Sequence, residues 1–159
     1  KANMPYPLPE ERIAKKDTDS VTDLPIQYQS EAAFRAWMES LPWDTNPYSA
    51  GNTMTSSNNM IRAAGFDNIG VEFVLSRQNP ETGLWGKDLS YESLNAAMKC
   101  ASYFNAVRKY PYIDKMLEST IYIVKNCKPS TTAEVWNPLA LLQRAKWSYN
   151  NSFTKEQAK

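Results

Sequence analysis

The side chains able to move protons in this 159-residue chain are carboxylates, tyrosines and lysines, because it contains no histidine. That absence excludes the Ser/His/Asp and Cys/His nucleophile systems, a histidine general base and every histidine-containing metal site. Cys100 and Cys127 are the only thiols, which leaves soft-metal chemistry almost without ligands. Three carboxylates, Asp44, Asp88 and Glu92, fall at the starts of predicted helices, and Glu81 lies in a turn between two of them. Two carboxylates, one protonated as general acid and the other acting as base or nucleophile, are the usual equipment for glycoside hydrolysis. Asp44, Asp88 and Glu92 are therefore the candidate catalytic groups. Acidic residues are also favoured electrostatically in the first turn of any helix, so the same positions have a purely structural reading. Nothing in this set calls for a metal or a cofactor.

A second group of residues suits binding. Trp43, Trp85 and Trp136 each stand just before a predicted helix, with Asn46, Tyr48, Asn52 and Asn95 close by in sequence. Indole faces stack on the C–H faces of sugars while amides and hydroxyls bond their oxygens, so the ligand pointed to is a glycan or oligosaccharide. The alternative is that each tryptophan plugs the end of a helical core. Trp37 and Trp147 fall on apolar stripes and are expected inside. Elimination chemistry needs a Tyr or Lys base and a cation such as Arg62 or Lys99, but spacing singles out none of Tyr48, Tyr91 or Tyr103.

These residues must be positioned by helices, and little β-structure is expected. Phe34, Trp37, Met38 and Leu41 recur at helical spacing after a capping Ser30, predicting a helix over 31–41 that Pro42 ends. Asn46-Pro47 opens a second, 47–64, whose residues Ser49 to Asn59 are unusually polar and either line a wet cavity or form solvated loop. Gly65 closes it. Asp67 caps an apolar helix over 68–78, the run Asn79 to Gly83 is a turn by composition, and Ser90 caps a long helix over 91–108. Further helices are predicted over 112–126 and, opening at Asn137-Pro138, over 138–150. They pair as antiparallel αα-hairpins, 31–41 with 47–64, 68–78 with 91–108 and 112–126 with 138–150. The tryptophan-bearing stretches then recur at the same end of each second helix, a weak repeat of about 45 residues, within the range of helical repeats.

The run Gln78-Asn79-Pro80-Glu81-Thr82-Gly83-Leu84-Trp85-Gly86, followed by Asn95-Ala96-Ala97-Met98-Lys99, resembles the hairpin segments of (α/α)-toroid proteins. In that group, which includes six-hairpin glycosidase-like hydrolases, unsaturated glucuronyl hydrolases and polysaccharide lyases, such a turn joins an outer helix to an inner one. Trp43-Asp44-Thr45-Asn46-Pro47-Tyr48-Ser49-Ala50-Gly51 is similar to another inner-helix start. The resemblance covers about residues 31–147 and implies an all-α, incomplete (α/α) toroid of glycoside hydrolase-like type. No catalytic residue of the group carries over by motif. A full ring has five to seven hairpins and this chain offers three, so it resembles half a ring, a fragment or a reduced relative. Terpenoid cyclases, which use a similar Gly-x-Trp-Gly turn, are disfavoured for want of an Asp-rich metal cluster.

Composition bounds the rest. Lys and Arg number 18 against 17 Asp and Glu, which gives none of the basic footprint of a nucleic-acid binder. No run of about 18 apolar residues is present to span a membrane. Residues 1–29, with Pro5, Pro7, Pro9 and Pro25, read as an extended arm or linker, 30–150 as the helical domain and 151–159 as a polar tail. The chain does not open with Met, so a removed leader or a longer parent protein is expected, and cytoplasmic and secreted sites are both open. Cys100 and Cys127 are expected as two free thiols. The alternative to a carbohydrate-active domain is a non-catalytic scaffold, docking through the arm and an open hairpin edge to another protein chain or to the missing portion of a toroid.

Overall fold

The computed structural model describes residues 24–103 and 110–148. Most of the expected arm, Phe104 and Val107 of the long helix, and the polar tail lie outside them. The described residues form a 3-10 turn, Ile26–Tyr28, and seven α-helices: α1 Glu31–Ser40, α2 Pro47–Ser56, α3 Asn58–Ala63, α4 Asp67–Ser76, α5 Tyr91–Tyr103, α6 Ile113–Asn126 and α7 Thr132–Ser148. No strand occurs among the described residues, and the domain is all-α as its periodicity predicts.

Local chemistry sets most of these boundaries. Ser30 Oγ accepts from Ala33 N at 3.2 Å to start α1, and Asn46 Oδ1 accepts from Ser49 N at 2.9 Å to start α2 with Pro47 at its first position. The end of α3 is a Schellman motif. Gly65, at φ +78°, donates to Arg62 O at 3.0 Å, and Phe66 N donates to Ile61 O at 3.0 Å.

Asp67, expected as a cap, is the first residue of α4 and follows Phe66 at the cap position, and two further boundaries differ from expectation. The helix expected over 47–64 is interrupted at Ser57, giving α2 and α3. Just before the break, Thr55 Oγ1 donates to Gly51 O and Ser56 Oγ to Asn52 O, both at 2.9 Å, and such back-bonding weakens and bends a helix. The last helix begins at Thr132, six residues before Pro138. Its start is a capping box in which Glu134 N donates to Thr131 Oγ1 at 3.3 Å and Thr131 N donates to Glu134 Oε2 at 3.2 Å. Pro138 is thus carried inside α7, and Asn137 is a helical residue instead of a cap.

The closest helix approaches are lateral, with α2 against α5 and α5 against α7 in a central row. Small residues make this possible: Ala50 and Gly51 on α2 and Ala96, Ala97 and Cys100 on α5 are all buried, with Gly51 against Cys100. A Cβ on Gly51 would lie 2.7 Å from Cys100 Sγ and 3.1 Å from Cys100 N, so only glycine permits this spacing. Polar stitches fix the register. Thr55 Oγ1 shares its one proton between Gly51 O and Lys99 O, the latter at 3.0 Å across the α2–α5 seam, and Asn137 Nδ2 donates to Asn95 Oδ1 at 2.6 Å across the α5–α7 seam. Around the row sit α1, α4 and α6. Phe34 stacks on Phe66 with ring centroids 5.2 Å apart, and Leu24 and Tyr28 join the same core, so the packed domain reaches back to Leu24. Both thiols are free. Cys100 is fully buried and Cys127 partly exposed, and burial pushes the Cys100 thiol far above its usual range.

Candidate functional site

A cleft of about 690 Å³ opens where the α1–α2 loop, the end of α4, the turn after it and the first turn of α5 meet. That size suits a small-molecule or oligosaccharide site, typically about 300–1,000 Å³. Trp43 and Asp44 reach it from the α1–α2 loop, Arg77 and Gln78 from the end of α4, Glu81 from the turn, and Lys87, Asp88, Glu92 and Ser93 from the α5 side.

The turn that forms one wall is held by its own polar groups. Asn79 Oδ1 accepts from Glu81 N at 2.8 Å, Asn79 Nδ2 donates to Gly86 O at 3.2 Å, and Thr82 Oγ1 accepts from Leu84 N at 3.2 Å. Gln78, 3% exposed, ties this turn to α6: its Nε2 donates to Gly83 O at 2.8 Å and its Oε1 accepts from Tyr112 N at 3.3 Å. Gln78, Asn79 and Thr82 therefore each have a structural partner, which accounts for their presence in this stretch without reference to a ligand.

Asp88 is the carboxylate with a built environment. It accepts from Ser90 Oγ at 2.6 Å and from Ser93 Oγ at 2.8 Å, while Ser90 Oγ also caps α5 by accepting from Ser93 N at 3.2 Å. The Ser90 hydroxyl first, and then that of Ser93, hold the Asp88 carboxyl below the usual carboxylate range. It is consequently an ionised acceptor at neutral pH, suited to a base or nucleophile and unsuited to a general acid. A lowered folded-state pKa contributes stability above the unfolded value of about 3.9, lost as pH falls through the folded value. The urea midpoint of Asp88→Asn should therefore fall below that of the wild type at pH 7 and converge with it as pH falls through the folded-state value. A gap that persists unchanged at acid pH would refute the ionised hydrogen-bonded pair.

Of the residues singled out by sequence, the cleft collects Trp43, Asp44, Trp85, Asp88 and Glu92. The tryptophans form its floor instead of offering open faces. Trp85 is 1% exposed, donates from Nε1 to Val74 O at 2.7 Å and meets Tyr110 edge-on. Trp43 is 8% exposed, with Nε1 donating to Met38 O at 2.7 Å and its ring edge-on to Phe73. A sugar cannot stack flat on either indole in this conformation.

The other expected binding residues lie elsewhere. Asn46 caps α2, and Tyr48 is covered in part by Lys99, whose Nζ sits 5.4 Å from its ring centroid. Asn52 lies on the body of α2 and takes the Ser56 hydroxyl on its carbonyl, while Asn95 is bonded to Asn137. Trp136, 65% exposed, sits on the outer face of α7, away from the cleft, because α7 starts before it. The polar run Ser49 to Asn59 contributes nothing to the cleft lining, and the hydroxyls of Thr55 and Ser56 turn back onto helical carbonyls.

Sequence reasoning passed over the two cations of the cleft, Arg77 and Lys87. Arg77 follows Phe73 by one helical turn and its guanidinium sits 5.0 Å from that ring centroid, a spacing visible in the sequence as an i, i+4 pair. Among the described residues no cluster of three or more Cys, Asp or Glu is arranged to hold a metal ion, and no helix is long and apolar enough to cross a membrane. No protein-family model, curated protein or solved structure matches the chain.

Proposed function

We propose that the cleft binds a hydroxyl-rich, carbohydrate-like ligand and that Asp44, Asp88 and Glu92 are its acid–base groups, in the manner of a glycoside hydrolase. The observation that carries this reading is the convergence of these three carboxylates, from two segments far apart in sequence, on one cleft of oligosaccharide size. Asp88, held ionised by two serine hydroxyls, takes the role of base or nucleophile, and Asp44 or Glu92 supplies the proton to the leaving oxygen. Arg77 and Lys87 add cationic donors beside them that suit sugar hydroxyls. Hydrolysis by the carboxylates is preferred to elimination, for which the cleft offers no tyrosine among the described residues and only Lys87 as a base. The side-by-side row of α2, α5 and α7 is the placement that inner helices take in an (α/α) toroid, and it supports kinship with that architecture.

A specific observation favours the second reading, a non-catalytic scaffold: Trp43 and Trp85 are buried and give a sugar no stacking platform. Calorimetric titration with a broad oligosaccharide panel, run beside an assay for released reducing ends, separates the two. The enzyme reading expects saturable heat and turnover that Asp88→Asn lowers by about 100-fold or more. Heat without turnover would leave a lectin-like cleft. Silence across the whole panel in both assays would remove the carbohydrate reading and favour the scaffold.

A further inference from the structure

The helix α7 is apolar on two sides. Pro138, Leu141 and Ala145 turn inward and are buried, whereas Val135, Trp136 and Leu139 turn outward at 54%, 65% and 58% exposure. A helix with two apolar faces is one built to lie between two neighbours. Beside the outward face runs an apolar groove of about 480 Å³, walled by Ile121, Val124 and Lys125 of α6 and by Glu134, Val135 and Leu139 of α7. Val124, 49% exposed, completes the greasy surface from the α6 side.

We infer that this groove is the contact face of a two-fold dimer, in which Trp136 of each copy seats in the groove of the other. Two features select a second copy over a foreign partner. The surface carries a knob and a hole side by side, Trp136 and the groove, which is what self-pairing about a two-fold axis requires and what a groove for a foreign peptide does not need. The walls carry opposite charges, Lys125 on α6 and Glu134 on α7, and a two-fold axis passing between them sets each against its opposite in the second copy. Trp136 would be the centre of such an interface, since exposed tryptophans that enter pockets on association carry a large share of the affinity.

This inference stands apart from the carbohydrate reading, because Trp136 and the groove share no residue with the cleft. Sedimentation velocity of the full chain from about 1 to 200 μM tests it, a span that covers micromolar association. The expected result is a reversible monomer–dimer equilibrium. Trp136→Ala should raise its dissociation constant about 30-fold or more, with helicity and urea midpoint unchanged. Leu139→Glu provides the second variant, placing a charge in the groove wall, and should leave a folded monomer. Hydroxyl-radical footprinting of Trp136 should show protection that disappears on dilution. A chain that stays monomeric at every concentration overturns the inference, as does a dimer indifferent to both variants. Protection of Trp136 that is independent of concentration also overturns it, since another segment of the same chain would then occupy the groove.

Discussion

Gly83→Ala is expected to lower the unfolding free energy by about 3–5 kcal/mol, among the largest single losses open to this domain. Two costs fall on one methyl group. Gly83 sits at φ +68°, a left-handed conformation that costs an L-residue about 1–2 kcal/mol. Its missing Cβ also points into the backbone of α6: a methyl there would meet Met116 N, Tyr112 O at 2.5 Å and Met116 Cα at 2.7 Å. Backbone cannot rotate away as a side chain can, so the turn and the start of α6 must separate. Separation in turn strains the Gln78 bridge that joins Gly83 O to Tyr112 N. Urea unfolding gives the measurement, and for a domain near this size the loss corresponds to roughly 6–20 °C in Tm. Gly83→Asn separates the two costs, because asparagine tolerates the left-handed backbone but still carries a Cβ. If Gly83→Ala unfolds within about 0.5 kcal/mol of the wild type, the turn is not clamped against α6 as described.

Trp85→Ala should cost about 3–5 kcal/mol as well, by a different route. Its indole is 1% exposed and bridges α4 to Tyr110, so truncation leaves a cavity under the cleft and removes the donor to Val74 O. Trp85→Phe keeps much of the ring and loses the N–H, and about 1–3 kcal/mol is expected. Comparing the two variants decides what this tryptophan does. A floor residue loses stability in the order Ala, then Phe, with ligand affinity following only as the cleft deforms. A stacking platform would do the reverse, keeping its urea midpoint while affinity fell, and that outcome would require a conformation with the indole turned out.

Most helix boundaries were legible because they are written in short-range chemistry. Ser30, Asn46-Pro47, Gly65 and Ser90 each act on backbone groups within four residues, so a linear reading finds them. The start of α7 was misread where two local signals compete. Asn137-Pro138 has the form of a cap followed by a first-turn proline, yet Thr131-Thr132-Ala133-Glu134 is a full capping box and comes first along the chain. That displacement moves Trp136 from a loop before the helix to the outer face of its second turn, and the third copy of the tryptophan repeat falls with it.

The site was legible in part. Asp44, Asp88 and Glu92 stand at helix starts in the sequence, and helix packing gathers them into one cleft. Whether a tryptophan beside such a helix is a platform or a plug depends on which carbonyl its N–H finds. Met38 O and Val74 O lie on the preceding helices and are set by tertiary packing, so no spacing rule names them. Asn95 shows the same limit: its partner, Asn137, is 42 residues away.

The two polar seams of the central row also set a timescale. Thr55 meets Lys99 across 44 positions and Asn95 meets Asn137 across 42, so the row forms only after the chain has closed two loops of more than forty residues. Each closure carries a length-dependent entropy of about 3 kcal/mol before the contact returns anything. A helical protein of purely local hairpins escapes that barrier and folds in microseconds to milliseconds, whereas separation of contacting residues slows the search. The glycine-and-alanine seam of α2 and α5 thus makes an all-helical chain depend on contacts far apart in sequence, which lengthens its search relative to a bundle of purely local hairpins.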